Sequence, residues 1–154
     1  MNYWLMKSEP DVFGIDDLAA AKKKTDHWDG VRNYQARNMM RDQMKRGDHA
    51  FFYHSNCSEP GVVGLMKIDR TGYPDHTAFD PNDPHFDPKS DPENPRWYMV
   101  DVRFLRKFKR TITLAELKSY SDTKLRGMQL LRRGNRLSVM PVSKKHWDFI
   151  LKLE

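Results

Sequence analysis

The chain has 154 residues, 38% of them hydrophobic and 12% aromatic, which is too apolar for a disordered, solvating chain and enough to bury roughly 70% of the unfolded surface. That length predicts a single domain over residues 1–154, and the lone Cys57 excludes an internal disulfide framework or a cysteine-cluster zinc site. The net charge of +6 is uneven: residues 1–95 carry 12 basic and 16 acidic side chains, and residues 96–154 carry 15 and 5, a bias that favours a polyanionic partner through counterion release.

Taken in chain order, Tyr3-Trp4-Leu5-Met6 predicts a short buried strand that stops at the polar Lys7-Ser8-Glu9-Pro10 turn. Ile15 to Ala21 predicts a short helix with acids in its first turn and Lys22-Lys23-Lys24 after its last, as the macrodipole prefers. The lysine run reads as a solvated helix end more readily than as a nucleic-acid patch. Asn33 caps a second helix expected from Tyr34 to about Lys45, ended by Gly47-Asp48. His49–His54 and Gly61–Ile68 predict strands, and Gly64 marks a bulge or a close backbone approach. Residues 74–95 hold six prolines, six acids and one lysine, so a surface loop is expected there. Its His76, Asp80, Asp83, His85 and Asp87 resemble a set of ligands, but no spacing matches a known metal site, and neither a metal nor a cofactor is expected.

A long strand is predicted from Arg96 through Phe108, then a short helix from Thr113 to Lys118 opened by the capping-box spacing of Thr113 and Glu116. Residues 124–133 predict another helix ended by Gly134-Asn135, and Arg136–Val142 is expected to be extended because the residue before Pro141 avoids the helical region. Ser143 caps a last helix to about Leu151 that buries Trp147 and Ile150. Strands and short helices in this order imply an α+β chain, a small mixed sheet or open barrel covered by helices.

Phosphate-loop, dinucleotide, zinc-protease, esterase and deaminase motifs are all absent. Three clusters mix aromatic planes with hydrogen-bonding groups: Trp4 with Lys7–Pro10, Trp28–Asn38, and Phe52–Asn56. Flat faces with donors and acceptors nearby suit a nucleobase lifted out of its stack. The competing reading makes the rings core and the polar groups caps and turns. An enzyme using His54 with Asp29 or Glu9 as general base is the minor alternative, and a small-ligand or protein-interaction domain with a solubilising basic face is another. No apolar run approaches the ~18 residues of a membrane span and no leader pattern opens the chain, so a cytoplasmic protein without a membrane partner is expected.

The strings Tyr3–Pro10, Trp28–Asn38, Phe52–Asn56, Pro60-Gly61, Tyr73-Pro74-Asp75 and Arg136–Val142, in this order, closely resemble the EVE domain family. The resemblance implies a PUA-like fold, a bent mixed sheet or pseudo-barrel flanked by short helices. It also implies a non-catalytic reader that takes a modified nucleobase, such as a modified cytosine of DNA or RNA, into an aromatic pocket. Carried over by position, the pocket residues are Ser8, Trp28, Arg32, Asn33, Tyr34, Tyr53, His54, Ser55 and Ser138. Trp28 or Tyr34 would stack, while Asn33 and Ser8 read the base edge. Phosphate contacts are expected from Arg37, Arg132, Arg133 and Arg136. The protein is expected to act as a monomer.

Overall fold

The computed structural model describes residues 1–154. Its organising pair is aromatic: β1 (Tyr3–Ser8) lies parallel to β3 (His49–His54), with Tyr3 opposite His49 and Ser8 opposite His54. On its other side β1 pairs with antiparallel β6 (Val139–Val142). From β3 the sheet continues antiparallel through β4 (Gly61–Pro74) and β5 (Tyr98–Thr113) to β2 (Thr25–Trp28). The strand order is β2-β5-β4-β3-β1-β6. The expected α+β class, a mixed sheet with short flanking helices, is therefore the one observed.

The sheet bends because its two longest strands do not keep register. The β4–β5 ladder shifts at four places, and each bulge adds local twist. Gly64 stands at one of them: a Cβ there would lie 2.6 Å from the Arg106 carbonyl oxygen and 3.0 Å from Ile15 Cδ1. Both the bulge and the close approach expected at Gly64 are present, and the approach is what lets α1 (Ile15–Ala20) lie against the sheet.

Each helix is short and most begin on a side-chain cap. In α2 (Tyr34–Asn38) the Asn33 Oδ1 accepts the Ala36 N–H at 3.0 Å. In α3 (Leu114–Lys118) Thr113 Oγ1 accepts from Glu116 N–H at 3.1 Å, and in α4 (Lys144–Leu153) Ser143 Oγ accepts from His146 N–H at 3.2 Å. Trp147 of α4 stacks on Phe51 with ring centroids 3.8 Å apart, and Ile150 is fully buried. One contiguous cluster of 33 buried apolar residues joins both faces of the sheet.

Three expectations need correction. The helix predicted from Tyr34 to Lys45 stays α-helical only to Asn38 and widens into a π-turn over Met39–Gln43, with both Met39 and Met40 buried. Residues 124–133 form no helix: Gly127 takes a φ of +83° and only a 3-10 turn survives at Gln129–Leu131. Strand β2 was not predicted, and β4 runs six residues past the expected end at Ile68. The loop that follows is irregular as expected, apart from a 3-10 turn at His76–Phe79.

Candidate functional site

Parallel pairing brings the C-terminal ends of β1 and β3 to one edge, and the backbone then stitches a third segment to them. Ser55 N–H donates to the Ser8 carbonyl at 3.0 Å, and Lys7 N–H donates to the Ser138 carbonyl at 2.8 Å. Ser8 Oγ donates to the Phe13 carbonyl at 2.7 Å. Ser8, Ser55 and Ser138 thus meet at the edge of a solvent-open cleft of about 550 Å³, within the range of roughly 300–1,000 Å³ typical of small-ligand sites.

The end of β2 supplies the aromatic wall. Trp28 is only 5% exposed, because Phe13 and Phe52 hold it edge-on at centroid distances of 6.1 and 5.2 Å. The indole therefore shows the cleft a rim. Lys7 and Arg136 are the cations of the lining, facing Glu9, Asp26, Asp29 and Asp83. Burial holds the Lys7 ammonium below the ordinary lysine value, and it lies 5.6 Å above the Tyr53 ring. The cleft lining thus carries four carboxylates against two cations, although the chain is basic overall.

The far wall belongs to the loop after β4, and one buried carboxylate holds it. Asp75 is fully buried. Its Oδ2 accepts from Gly30 N–H at 2.8 Å and from Arg32 Nη1 at 3.0 Å, while Oδ1 accepts the Thr77 N–H at 2.9 Å. Arg32 also donates through Nη2 to the His85 carbonyl at 2.7 Å. Burial pushes the Asp75 carboxyl up, but the bonds from Thr77, Gly30 and Arg32 more than reverse this and leave it below its ordinary value. The hub presses His85 onto Gly30, where a Cβ would lie 2.6 Å from the imidazole and φ is +78°. We predict that Gly30→Ala lowers stability by about 1–2 kcal/mol through the left-handed backbone alone. It should also expel His85 from the rim, measurable as a chemical-shift change confined to residues 83–86.

The structure places the sequence-derived residues in two groups. Ser8, Trp28, Ser55, Ser138 and Arg136 share the cleft. The others are engaged elsewhere. Arg32 is committed to Asp75 and the His85 carbonyl, and Asn33 is spent as the α2 cap. Tyr34, 51% exposed, stacks on Trp97 at 4.8 Å, outside the cleft. Tyr53 is 2% exposed and its hydroxyl is pushed up to about 12 by burial. Arg37 Nη1 donates to the Arg96 carbonyl at 2.6 Å. Arg132 and Arg133 are exposed on the turn that leads to Arg136.

His54 faces a different cavity, so the general-base pairing of His54 with Asp29 or Glu9 is not assembled. Its Nε2 accepts the Ile15 N–H at 3.1 Å at the start of α1, a role open only to the neutral ring. Burial holds it below the ordinary histidine value, against the pull of Asp16. Below about pH 6.5 the unfolded chain therefore binds a proton that the folded one refuses. Stability should fall as pH drops through that window, and thermal melts of His54→Gln from pH 7.5 to 5.5 should show a shallower decline than the parent protein.

Of the polar lining, sequence reasoning names neither Asp26 nor His27; it offers Glu9 and Asp29 only as general bases or cluster members, Lys7 only within the first aromatic cluster, and Asp83 and His85 only within the ligand-like loop group. Glu9 and Lys7 lay in a string already singled out, next to Ser8; nothing local marked Asp83 and His85 out from the other loop acids. Of the loop's ligand-like group, Asp83 and His85 converge with Asp29, their ligand atoms all within 4.8 Å of one another. His85 Nδ1 lies 3.2 Å from Asp83 Oδ1 and 3.8 Å from Asp29 Oδ2 and has no hydrogen-bond partner. These three are the side chains that could share a cation.

Comparison with known proteins agrees with this architecture. The human thymocyte nuclear protein 1 is 53% identical over 168 residues, spanning 99% of this chain and 74% of its own length. The crystal structure of human THYN1 protein in complex with 5-methylcytosine containing DNA matches with a TM-score of 0.95 at 53% identity, covering 99% of this chain and 97% of that one. A Pseudomonas syringae protein matches with a TM-score of 0.93 at 49% identity, covering 98% of each chain. The expectation of a cytoplasmic protein is overturned here: relatives from human, rat, mouse, zebrafish and chicken all carry the name of a nuclear protein. The model of the EVE domain matches residues 2–153, and the chain belongs to the EVE domain family.

Proposed function

We propose that this protein is a reader of DNA that holds an extruded, modified cytosine in the cleft between Trp28 and the three serines. The observation that carries the reading is the likeness, at 53% identity over 99% of the chain, to a human protein solved with 5-methylcytosine containing DNA. The cleft supports it chemically. Asp26 and Asp29 line it, and a carboxylate accepts from the exocyclic amine of cytosine but repels the carbonyl that thymine carries at the same position. Arg136 at the mouth, with exposed Arg132 and Arg133 before it, supplies phosphate contacts that fix register without reading sequence. No residue in the cleft is assigned a catalytic step.

The test is a binding series on one duplex whose central base is cytosine, 5-methylcytosine, 5-hydroxymethylcytosine or thymine, with matched single strands and the RNA equivalents, at fixed salt. A modified cytosine in DNA should bind tightest and thymine weakest. Equal binding across the series would overturn the reading, and tightest binding to the RNA arm would move it to RNA.

A further inference from the structure

The turn between β1 and α1 holds an apolar tip out in solvent. Val12 is 71% exposed and lines the lip of the Trp28 cleft. The next residue, Phe13, faces inward and packs on Trp28 and Phe52, with ring centroids 6.1 Å away in each case. A lone exposed valine is ordinary on a protein surface, but this one stands beside the opening through which a base would enter. Its position is fixed. The Val12 and Phe13 N–H groups both donate to the Glu9 carbonyl, at 3.0 and 2.9 Å, and the Phe13 carbonyl accepts from Ser8 Oγ at 2.7 Å. Glu9 Oε1 accepts from Asn56 Nδ2 at 2.7 Å, and Pro10 fixes one φ. The turn is therefore anchored to a serine of the cleft itself, and because it is ordered before any ligand arrives, binding loses little entropy there.

Asp11, just before Val12, is also exposed, and its carboxylate has no cation at ion-pair distance. An isopropyl group beside a carboxylate does not suit a phosphate backbone. It suits the hole that extrusion leaves in a duplex. A cytosine taken out of its stack leaves a gap between two apolar ring faces, and apolar side chains that enter such a gap offset part of the unstacking cost. Across the gap stands a guanine whose N1–H and N2–H donors have lost their acceptors, and one carboxylate can accept both.

We propose that the Glu9–Phe13 turn is an insertion element: Val12 fills the gap that the extruded cytosine leaves, and Asp11 accepts from the guanine left without its partner. The inference rests on the DNA-reading function proposed above and makes the duplex, rather than the single strand, the form of DNA the protein is built to open. The cleft selects the base, and the turn lowers the cost of taking it out of a pair.

The experiment measures binding by anisotropy at fixed salt for the parent chain, Val12→Ser and Asp11→Asn. The DNAs are a duplex with 5-methylcytosine paired to guanine, the same duplex with 5-methylcytosine as a one-nucleotide bulge, and the single strand, each beside its unmodified counterpart. Neither the bulge nor the single strand has a gap to fill or a guanine to satisfy. Val12→Ser should bind the paired duplex roughly tenfold more weakly, since unstacking is no longer offset, and the other two like the parent. Asp11→Asn removes a negative charge, yet it too should weaken the paired duplex; a carboxylate that merely faced the DNA would, once neutralised, give tighter binding to all three. Thermal melts of both variants should match the parent, because both side chains are exposed. Parent-like binding of the paired duplex by Val12→Ser, or equal weakening on all three DNAs, overturns the insertion element, and tighter binding of the paired duplex by Asp11→Asn overturns the guanine contact. A parent protein that ignores methylation on every DNA, while Val12→Ser still weakens only the paired form, would count against the cleft reading and leave the insertion element standing.

Discussion

Trp28→Ala should erase the preference for a modified cytosine while leaving affinity for the unmodified duplex near the parent value. Base stacking on an aromatic ring contributes roughly 1–3 kcal/mol per base. Trp28 is 5% exposed, so the contact is with a rim and the loss should lie toward the lower bound, about five- to tenfold in affinity for the modified duplex. On the function proposed above, unmodified DNA would be held by phosphate contacts that the substitution does not touch. The same ring packs on Phe13 and Phe52, so its removal should also cost about 3–5 kcal/mol of stability. Trp28→Phe separates the two effects. It keeps most of the buried ring, should melt close to the parent, and should lose part of the preference because the smaller ring no longer reaches the cleft. Equal weakening of both duplexes by a folded Trp28→Phe would show that the indole packs the core without touching the base.

How much of this was legible in the sequence depends on the range of the interactions involved. Local signals served well: Asn33, Thr113 and Ser143 do cap helices, and Gly64 does mark a bulge. Strand β2 was invisible because Thr25-Asp26-His27-Trp28 carries one apolar side chain, and it is extended through pairing with β5, more than 70 residues away in the sequence. Residues 124–133 looked helical from their leucines, but Gly127 turns the chain before a helix can propagate. The pocket was half legible for the same reason. Ser8, Trp28, Ser55 and Ser138 lie at strand ends, whereas Arg32 could be read as free only because its partner Asp75 is 43 residues away. Tyr34, which looked like a stacking platform, had Trp97 waiting for it.

Asp75 is where that long-range pairing has its largest expected consequence. Asp75→Ala would leave Arg32, whose side chain is 24% exposed, without its carboxylate, and would strip acceptors from the Gly30 and Thr77 amides. Breaking a buried pair from one side typically costs about 3–5 kcal/mol, a large share of the ~5–15 kcal/mol that holds a domain together. The loss should be local first, with amide exchange accelerating at Gly30 and across 76–87 before β1 or β3 responds. Because these residues carry Asp83 and His85 to the cleft wall, preference for a modified base should weaken even in the folded fraction. Asp75→Asn tests charge with shape preserved, and Arg32→Ala with Asp75→Ala should cost less than the sum of the single changes, since either one already breaks the pair. The pH dependence has a definite sign. The folded carboxyl lies below its ordinary value of 3.8, so its contribution is complete above about pH 4 and drains away as pH falls toward the folded value. Asp75→Asn should therefore unfold in acid less steeply than the parent. Parent-like exchange at Gly30 and Thr77 in that variant would mean the loop is anchored instead by Asp87, whose carboxylate accepts the Trp97 indole N–H at 2.7 Å.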